Sequence, residues 1–163
     1  MVAILEVIQV LDKGSVKLMS HTENGDLLVV NAARCSFDKE HSVFYEETDA
    51  KLINYLAKHG HLLPFRHPVC TLRISCPLFV LRQLGKHQVG FSWSEVSRRY
   101  ITNRPEFHRP EEWRKNADNV KQGSSEEVVD PDKDVKDDYD NAHLHACAAY
   151  EDMLDAGVCP EQA

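Results

Sequence analysis

The strongest constraint on how this chain folds lies between Thr48 and Ser75, where one helical pattern is capped, stopped and followed directly by a strand pattern. Leu52, Ile53, Tyr55 and Leu56 recur at the spacing of a helix face, with Thr48 at the N-cap position and Gly60 at the C′ position. Pro64 breaks the chain. From Val69 to Ser75 the residues then alternate, Val69, Thr71 and Arg73 against Cys70, Leu72 and Ile74, as a half-covered strand requires.

Further elements surround this unit. Val2 to Val10 is rich in β-branched residues and reads as a strand, turning at Lys13-Gly14 into a second strand, Ser15 to Met19, so a hairpin opens the chain. Asn24-Gly25 marks the next turn. Asp26 to Arg34 is ambiguous between strand and helix, and Asp26 as an N-cap with Ala32-Ala33 favours helix. Pro77 suits the first position of another helix. If that helix runs through Lys86, Arg82 and Lys86 lie one turn apart, as do Gln83 and His87, while Gly85 and Gly90 loosen the backbone.

Gln122 to Asp140 is polar and acidic, contains Pro131, and reads as a solvated loop or insertion. Tyr139, His143, Ala146, Cys147, Tyr150, Met153 and Leu154 form a helical stripe ended by Gly157, and Cys159-Pro160-Glu161 has the form of a helix start that is cut off. These elements predict an α+β fold, a mixed or antiparallel sheet flanked by helices. The 163 residues suit a single domain over 1–163.

Charge is unevenly distributed along the chain. Between Arg66 and Arg109 stand eight cations (Arg66, Arg73, Arg82, Lys86, Arg98, Arg99, Arg104 and Arg109) against Glu95 and Glu106, whereas the whole chain carries a formal charge of -7. A local positive field on an acidic molecule favours a small phosphate or carboxylate ligand over a long polyanion. A nucleotide is therefore expected rather than a nucleic acid. No run is apolar enough to span a membrane, and the N-terminus lacks the basic start and cleavage site of a signal peptide, so a cytoplasmic protein is the default expectation.

The five cysteines, Cys35, Cys70, Cys76, Cys147 and Cys159, lack paired metal-ligand spacing and read as buried free thiols. Cys70 and Cys76 lie in an apolar stretch with no base beside them. His59, His61 and His67 are close in sequence, but Pro64 between them and the absence of an accompanying carboxylate or thiolate pattern argue against zinc, and no metal is expected. His143 and His145 lie two apart and face differently on a helix, as ordinary helix residues. Ser97 has no local base and reads as a ligand-binding or capping serine. Phe91, Trp93 and Tyr100 suit stacking on a flat ring, with core packing an alternative of at least equal weight for two of the three.

Four blocks together resemble the flavin-dependent thymidylate synthases: LDKGSVKLM, NAARCSFD, KLINYLAKHGHLLPFRH with its following strand, and PLFVLRQLGKHQVGFSWSEVSRRY. The last is similar to the family signature, Arg-His-Arg followed by seven residues and Ser. Here Lys86-His87-Gln88 replaces the first three, and eight residues, Val89 to Val96, precede Ser97. Lys86 keeps the charge without the bidentate fork, and Gln88 keeps only hydrogen bonding.

The resemblance implies reductive methylation of deoxyuridine monophosphate (dUMP) to thymidine monophosphate, with methylenetetrahydrofolate as carbon donor and NADPH as reductant of bound FAD. It assigns Ser36, His61, Lys86, His87, Gln88 and Glu95 to FAD, with Leu63 where the family often has a hydroxyl residue. It assigns Gln83, Lys86, Glu95, Val96, Ser97, Arg98 and Arg99 to the nucleotide. It implies a homotetramer with shared FAD sites. The family's active-site arginine lies after Ala163, so the catalytic residue is not among those present, and the chain resembles an N-terminal portion of the enzyme. Two rivals stand beside this reading: a nucleotide- or flavin-binding protein without catalysis, and a nucleic-acid-binding module built on Arg98, Arg99 and Arg104.

Overall fold

The computed structural model describes residues 7–118 and 121–163. It divides into two compact units, one ending at Phe91 and the other running from Ser92 to Ala163.

In the first unit, β1 (Val7–Val10), β2 (Gly14–His21) and β3 (Cys70–Ser75) form an antiparallel sheet in that order. The expected opening hairpin is present; its positions 2–6 lie outside the described residues. Val10 pairs with Gly14 and Ser15 with Ser75. Gly14 is required by this crowding, since a Cβ there would lie 2.4 Å from the Val10 carbonyl oxygen and 3.3 Å from that of Ser75. The pairing steps from Leu18–Leu72 to Ser20–Thr71, leaving Met19 as the extra residue of a bulge. Beyond the sheet, Thr22 donates its N–H to the Val69 carbonyl at 2.9 Å and its hydroxyl accepts the Val69 N–H at 3.0 Å.

Three helices complete this unit: α1 (Gly25–Arg34), α2 (Glu46–Lys58) and α3 (Leu78–Leu84). The segment after Asn24-Gly25 is helical, but Asp26 does not cap it. Asn24, in the left-handed region at φ 52°, is the N-cap, and Asp26 lies in the first turn, where a negative charge suits the helix dipole. The N-cap of α2 is Tyr45 rather than Thr48, because the Tyr45 carbonyl already accepts the Thr48 N–H and the Asp49 N–H. Its end is as expected. Gly60, at φ 69°, donates to the Ala57 carbonyl, and His61 donates to that of Leu56, the paired bonds of a Schellman motif. Val29, Val30, Leu56 and Asp49 are buried where α1 and α2 pack together.

Strand β3 is where the alternation places it, but five of its six residues are exposed rather than half covered. Helix α3 is shorter than the extension through Lys86 requires. It starts after Pro77, ends at Leu84, and gives way at Gly85 to turns in which the Lys86 and His87 N–H groups reach Gln83 and Leu84.

The second unit contains the hairpin β4 (Trp113–Asn116) and β5 (Ser124–Val129) and the long helix α4 (Lys133–Asp155). Much of the segment expected as a solvated loop, Gln122 to Asp140, is therefore strand and helix. The physical reason is local. Asp132, just after Pro131, accepts the Val135 N–H at 3.1 Å and starts the helix, so the acidic run continues as its exposed face. The expected stripe from Tyr139 to Leu154 is the inner face of α4 except at Ala146, which is exposed, and Gly157 at φ 85° closes the helix with a second Schellman motif. The chain from Arg98 to Trp113 runs back along this face. Cys147 meets the Pro105 carbonyl, Phe107 stacks on His143 at 4.2 Å, and Tyr139 donates to the His108 carbonyl at 2.8 Å. Among the described residues, Cys147 and Tyr150 form the buried apolar centre.

Candidate functional site

Most residues assigned to FAD sit just past the C-terminal ends of helices in the first unit. Ser36 follows α1 in a single 3-10 turn and donates to the Ala33 carbonyl at 3.1 Å. His61 follows α2, its N–H spent on closing the helix and its ring stacked near Tyr55 at 6.2 Å. His59 packs closer to the same ring, at 4.3 Å. Tyr55 is thus 55% exposed and part of a ring cluster, not one of the helix's buried apolar positions. Leu63, 69% exposed, precedes the 3-10 turn Pro64–Arg66.

Lys86, His87 and Gln88 follow α3, all exposed. A helix C-terminus carries partial negative charge, so an anion at these positions must be compensated by side chains rather than by the backbone. Lys86 supplies that charge, and Gln88 and His87 supply hydrogen-bonding capacity. This donor set fits a polar, anionic group such as the FAD diphosphate, while the Tyr55, His59 and His61 cluster offers ring faces. Gln83, on α3, is exposed one helical step before these residues.

In the second unit, Glu95 and Val96 are exposed and Ser97 is half-buried, its hydroxyl accepting the Arg99 N–H at 3.3 Å. The adjacent arginines, expected to share a role, diverge. Arg98 is half-buried, lies over the Tyr150 ring at 4.9 Å and donates to the Asn103 carbonyl at 2.5 Å. It is committed to holding its own unit together. Arg99 is exposed and pairs through Nε with Glu161. Phe91, Trp93 and Tyr100 are all exposed, at 55%, 42% and 83%, so of the two readings left open by the sequence, core packing is not the one found. Spacing could not separate stacking from packing, because both use the same residue types.

The thiols also differ from expectation. Only Cys147 is buried; Cys76 is half-buried, and Cys35, Cys70 and Cys159 are exposed, since the surfaces around them are open. Among the described residues, no group of three or more His, Cys, Asp or Glu side chains is placed to hold a metal. No helix there is long and apolar enough to cross a membrane. Clefts open among the described residues of the first unit. One, of about 480 Å³, is lined by Asn24 to Leu27, Ser42 to Phe44 and Glu46, and another, of about 350 Å³, by Asn31, Cys35 and Asp38 to Glu40. Neither lining includes a residue assigned from the sequence.

Sequence reasoning missed Asp49 and Glu161. Asp49 is fully buried and accepts from Arg34 at 2.5 Å, from the Tyr45 N–H at 2.9 Å and from the Thr48 hydroxyl at 3.3 Å. An acidic residue in the first turn of a helix looks like an ordinary dipole partner, so only the packing of α1 reveals its burial. Glu161 looks equally ordinary, and its partner lies 62 positions away.

Comparison with known proteins gives these positions a family. Residues 17–163 match the model described as thymidylate synthase complementing protein. The chain is 35% identical over 156 residues to a flavin-dependent thymidylate synthase of Pseudothermotoga lettingae, covering 96% of this chain and 66% of the relative. It is 36% identical over 159 residues to one from Thermosipho africanus, covering 95% and 67%. It therefore spans about two thirds of the length of these relatives. Among solved structures it resembles the UMP/dUMP methylase PolB of Streptomyces cacaoi bound with 5-Br UMP, with a TM-score of 0.69 and 27% identity over 91% of this chain and 63% of that one. A match running from Lys17 to the last residue, with nearly the whole chain aligned to its relatives, means that this protein belongs to the thymidylate synthase complementing protein family, alongside members named flavin-dependent thymidylate synthase.

Proposed function

We propose that this chain belongs to an enzyme that reductively methylates dUMP to thymidine monophosphate, using FAD, NADPH and methylenetetrahydrofolate. Arg99 carries the reading within the chain. It is an exposed guanidinium beside a half-buried serine, in a segment that varies the family signature at Lys86, Gln88 and the spacing before Ser97 but keeps Glu95, Ser97, Arg99 and Tyr100 in family order. The relatives' name supports the flavin, and the bound 5-Br UMP of the structural neighbour supports a uridine nucleotide.

In this reading Lys86, His87, Gln88, Ser36, His61 and Glu95 hold FAD, Leu63 lies beside it, and the flavin supplies the redox chemistry when bound. Gln83, Lys86, Glu95, Val96 and Ser97 help to place the nucleotide, and Arg99 takes its phosphate. Arg98, assigned with them from the sequence, serves by fixing the backbone that carries Ser97 and Arg99. The working form is a cytoplasmic homotetramer in which partner chains complete each site.

The test is an absorbance spectrum of the purified protein, then titration with dUMP, then product analysis with the two co-substrates. A flavin spectrum perturbed by dUMP, with thymidine monophosphate formed, supports the proposal. A flavin spectrum perturbed by dUMP without product assigns the chain to nucleotide and flavin binding alone. Absence of flavin from the protein after reconstitution with FAD overturns both.

A further inference from the structure

Arg99 carries three kinds of donor, and among the described residues two of them have partners. Its backbone N–H donates to the Ser97 hydroxyl, and its Nε donates to Glu161. The terminal edge of the guanidinium, whose paired N–H groups match a phosphate or carboxylate, is left available on a side chain that is 64% exposed.

Glu161 itself is held in place. Helix α4 ends at Asp155 and is closed by Gly157 and Val158, which donate to the Leu154 and Met153 carbonyls. The following turn closes as Gln162 and Ala163 both donate to the Cys159 carbonyl, at 2.9 and 3.1 Å. The carboxylate is thus presented from a defined turn in the same unit as Arg99. A free arginine side chain would lose rotamer freedom on binding an anion, whereas one already held at Nε has lost part of it beforehand.

We propose that Glu161 is a positioning residue for nucleotide recognition: by engaging Arg99 at Nε it fixes the guanidinium plane and directs the terminal edge toward the nucleotide phosphate. This rests on the dUMP reading given above. Glu161 touches neither substrate nor cofactor in this role; it acts through Arg99.

The experiment measures the equilibrium affinity of the FAD-reconstituted protein for dUMP and for deoxyuridine, which lacks the phosphate, in the wild type and in Glu161→Ala, Glu161→Gln and Arg99→Ala. Glu161→Ala is expected to weaken dUMP binding roughly two- to fivefold, the scale of an exposed ion pair, and to leave deoxyuridine unchanged. Glu161→Gln, whose amide oxygen still accepts from Nε, should recover part of the loss, and Arg99→Ala should lose more than either. Tighter dUMP binding in both Glu161 variants would make the carboxylate a competing anion and overturn the proposal. Equal losses for dUMP and deoxyuridine would reduce Glu161 to a support of the turn and overturn it as well. A wild type that binds deoxyuridine as tightly as dUMP, or neither ligand, would overturn the nucleotide reading itself and this inference with it.

Discussion

Arg34, the last residue of α1, reaches Asp49 in the first turns of α2 at 2.5 Å, and Asp49 is completely buried. The same carboxylate accepts the N–H of Tyr45, the N-cap of α2, and lies 3.6 Å from His41 Nδ1. Asn31 clamps His41 from the other side, donating to its carbonyl at 2.8 Å and accepting its N–H at 2.9 Å. One ion pair therefore ties together two helices and the loop joining them, just beyond Ser36. A buried carboxylate stripped of its cation has nothing to repay its desolvation.

Acid should loosen this junction. The Arg34 guanidinium holds the Asp49 carboxyl at about 2, down from 3.8, against the opposing effect of burial. Since the folded-state value lies below the unfolded one, the stabilisation is present above about pH 4 and is lost as pH falls toward 2. Asp49→Asn is expected to lower the thermal midpoint at neutral pH and to flatten the acid limb between about pH 4 and 2. Midpoints measured across that range check both effects, and an unaltered acid limb would remove Asp49 as its cause.

Two glycines should resist replacement for different reasons. Gly14→Ala drives a Cβ against two backbone carbonyls and is expected to cost about 1–3 kcal/mol. Gly60→Ala meets open space but keeps φ at 69°, so about 1–2 kcal/mol of backbone strain is expected. Denaturant unfolding compares them. The Gly60 variant should also shift the His61 backbone, which closes α2.

The neighbouring arginines should separate by phenotype. Arg98→Ala is expected to destabilise by about 1–2 kcal/mol, through loss of the Tyr150 contact and the bond to Asn103. Arg99→Ala should leave stability nearly unchanged and weaken dUMP about tenfold or more, with flavin affinity changing less than about twofold. Paired unfolding and binding titrations decide this. Equal losses of nucleotide and flavin in Arg99→Ala, with the fold intact, would contradict the assignment.

Tyr150 should tolerate loss of its hydroxyl. That oxygen is buried with no hydrogen-bond partner among the described residues, while its ring packs beneath Arg98. Tyr150→Phe is therefore expected to stay within about 0.5 kcal/mol of the wild type or to gain stability. Tyr150→Ala should cost about 3 kcal/mol or more. Thermal unfolding of both variants distinguishes ring packing from hydroxyl chemistry.

Local signals were enough for much of this protein. The hairpin at Lys13-Gly14, the end of α2 at Gly60, the strand from Cys70 and the stripe of α4 all follow from turn chemistry and periodicity, because each depends on residues within a few positions of one another. The order of the four sequence blocks likewise identified the family. The start of α4 was also written locally, at Asp132, but the acidity of the surrounding run concealed it. What only tertiary structure decided are pairings between residues far apart in the chain: which of Arg98 and Arg99 faces outward, which first-turn acid is buried, and which carboxylate meets Arg99. Charge and spacing describe what a side chain can do, but burial and partner depend on which distant segment packs against it, as α1 does over Asp49 and the C-terminal turn does beside Arg99.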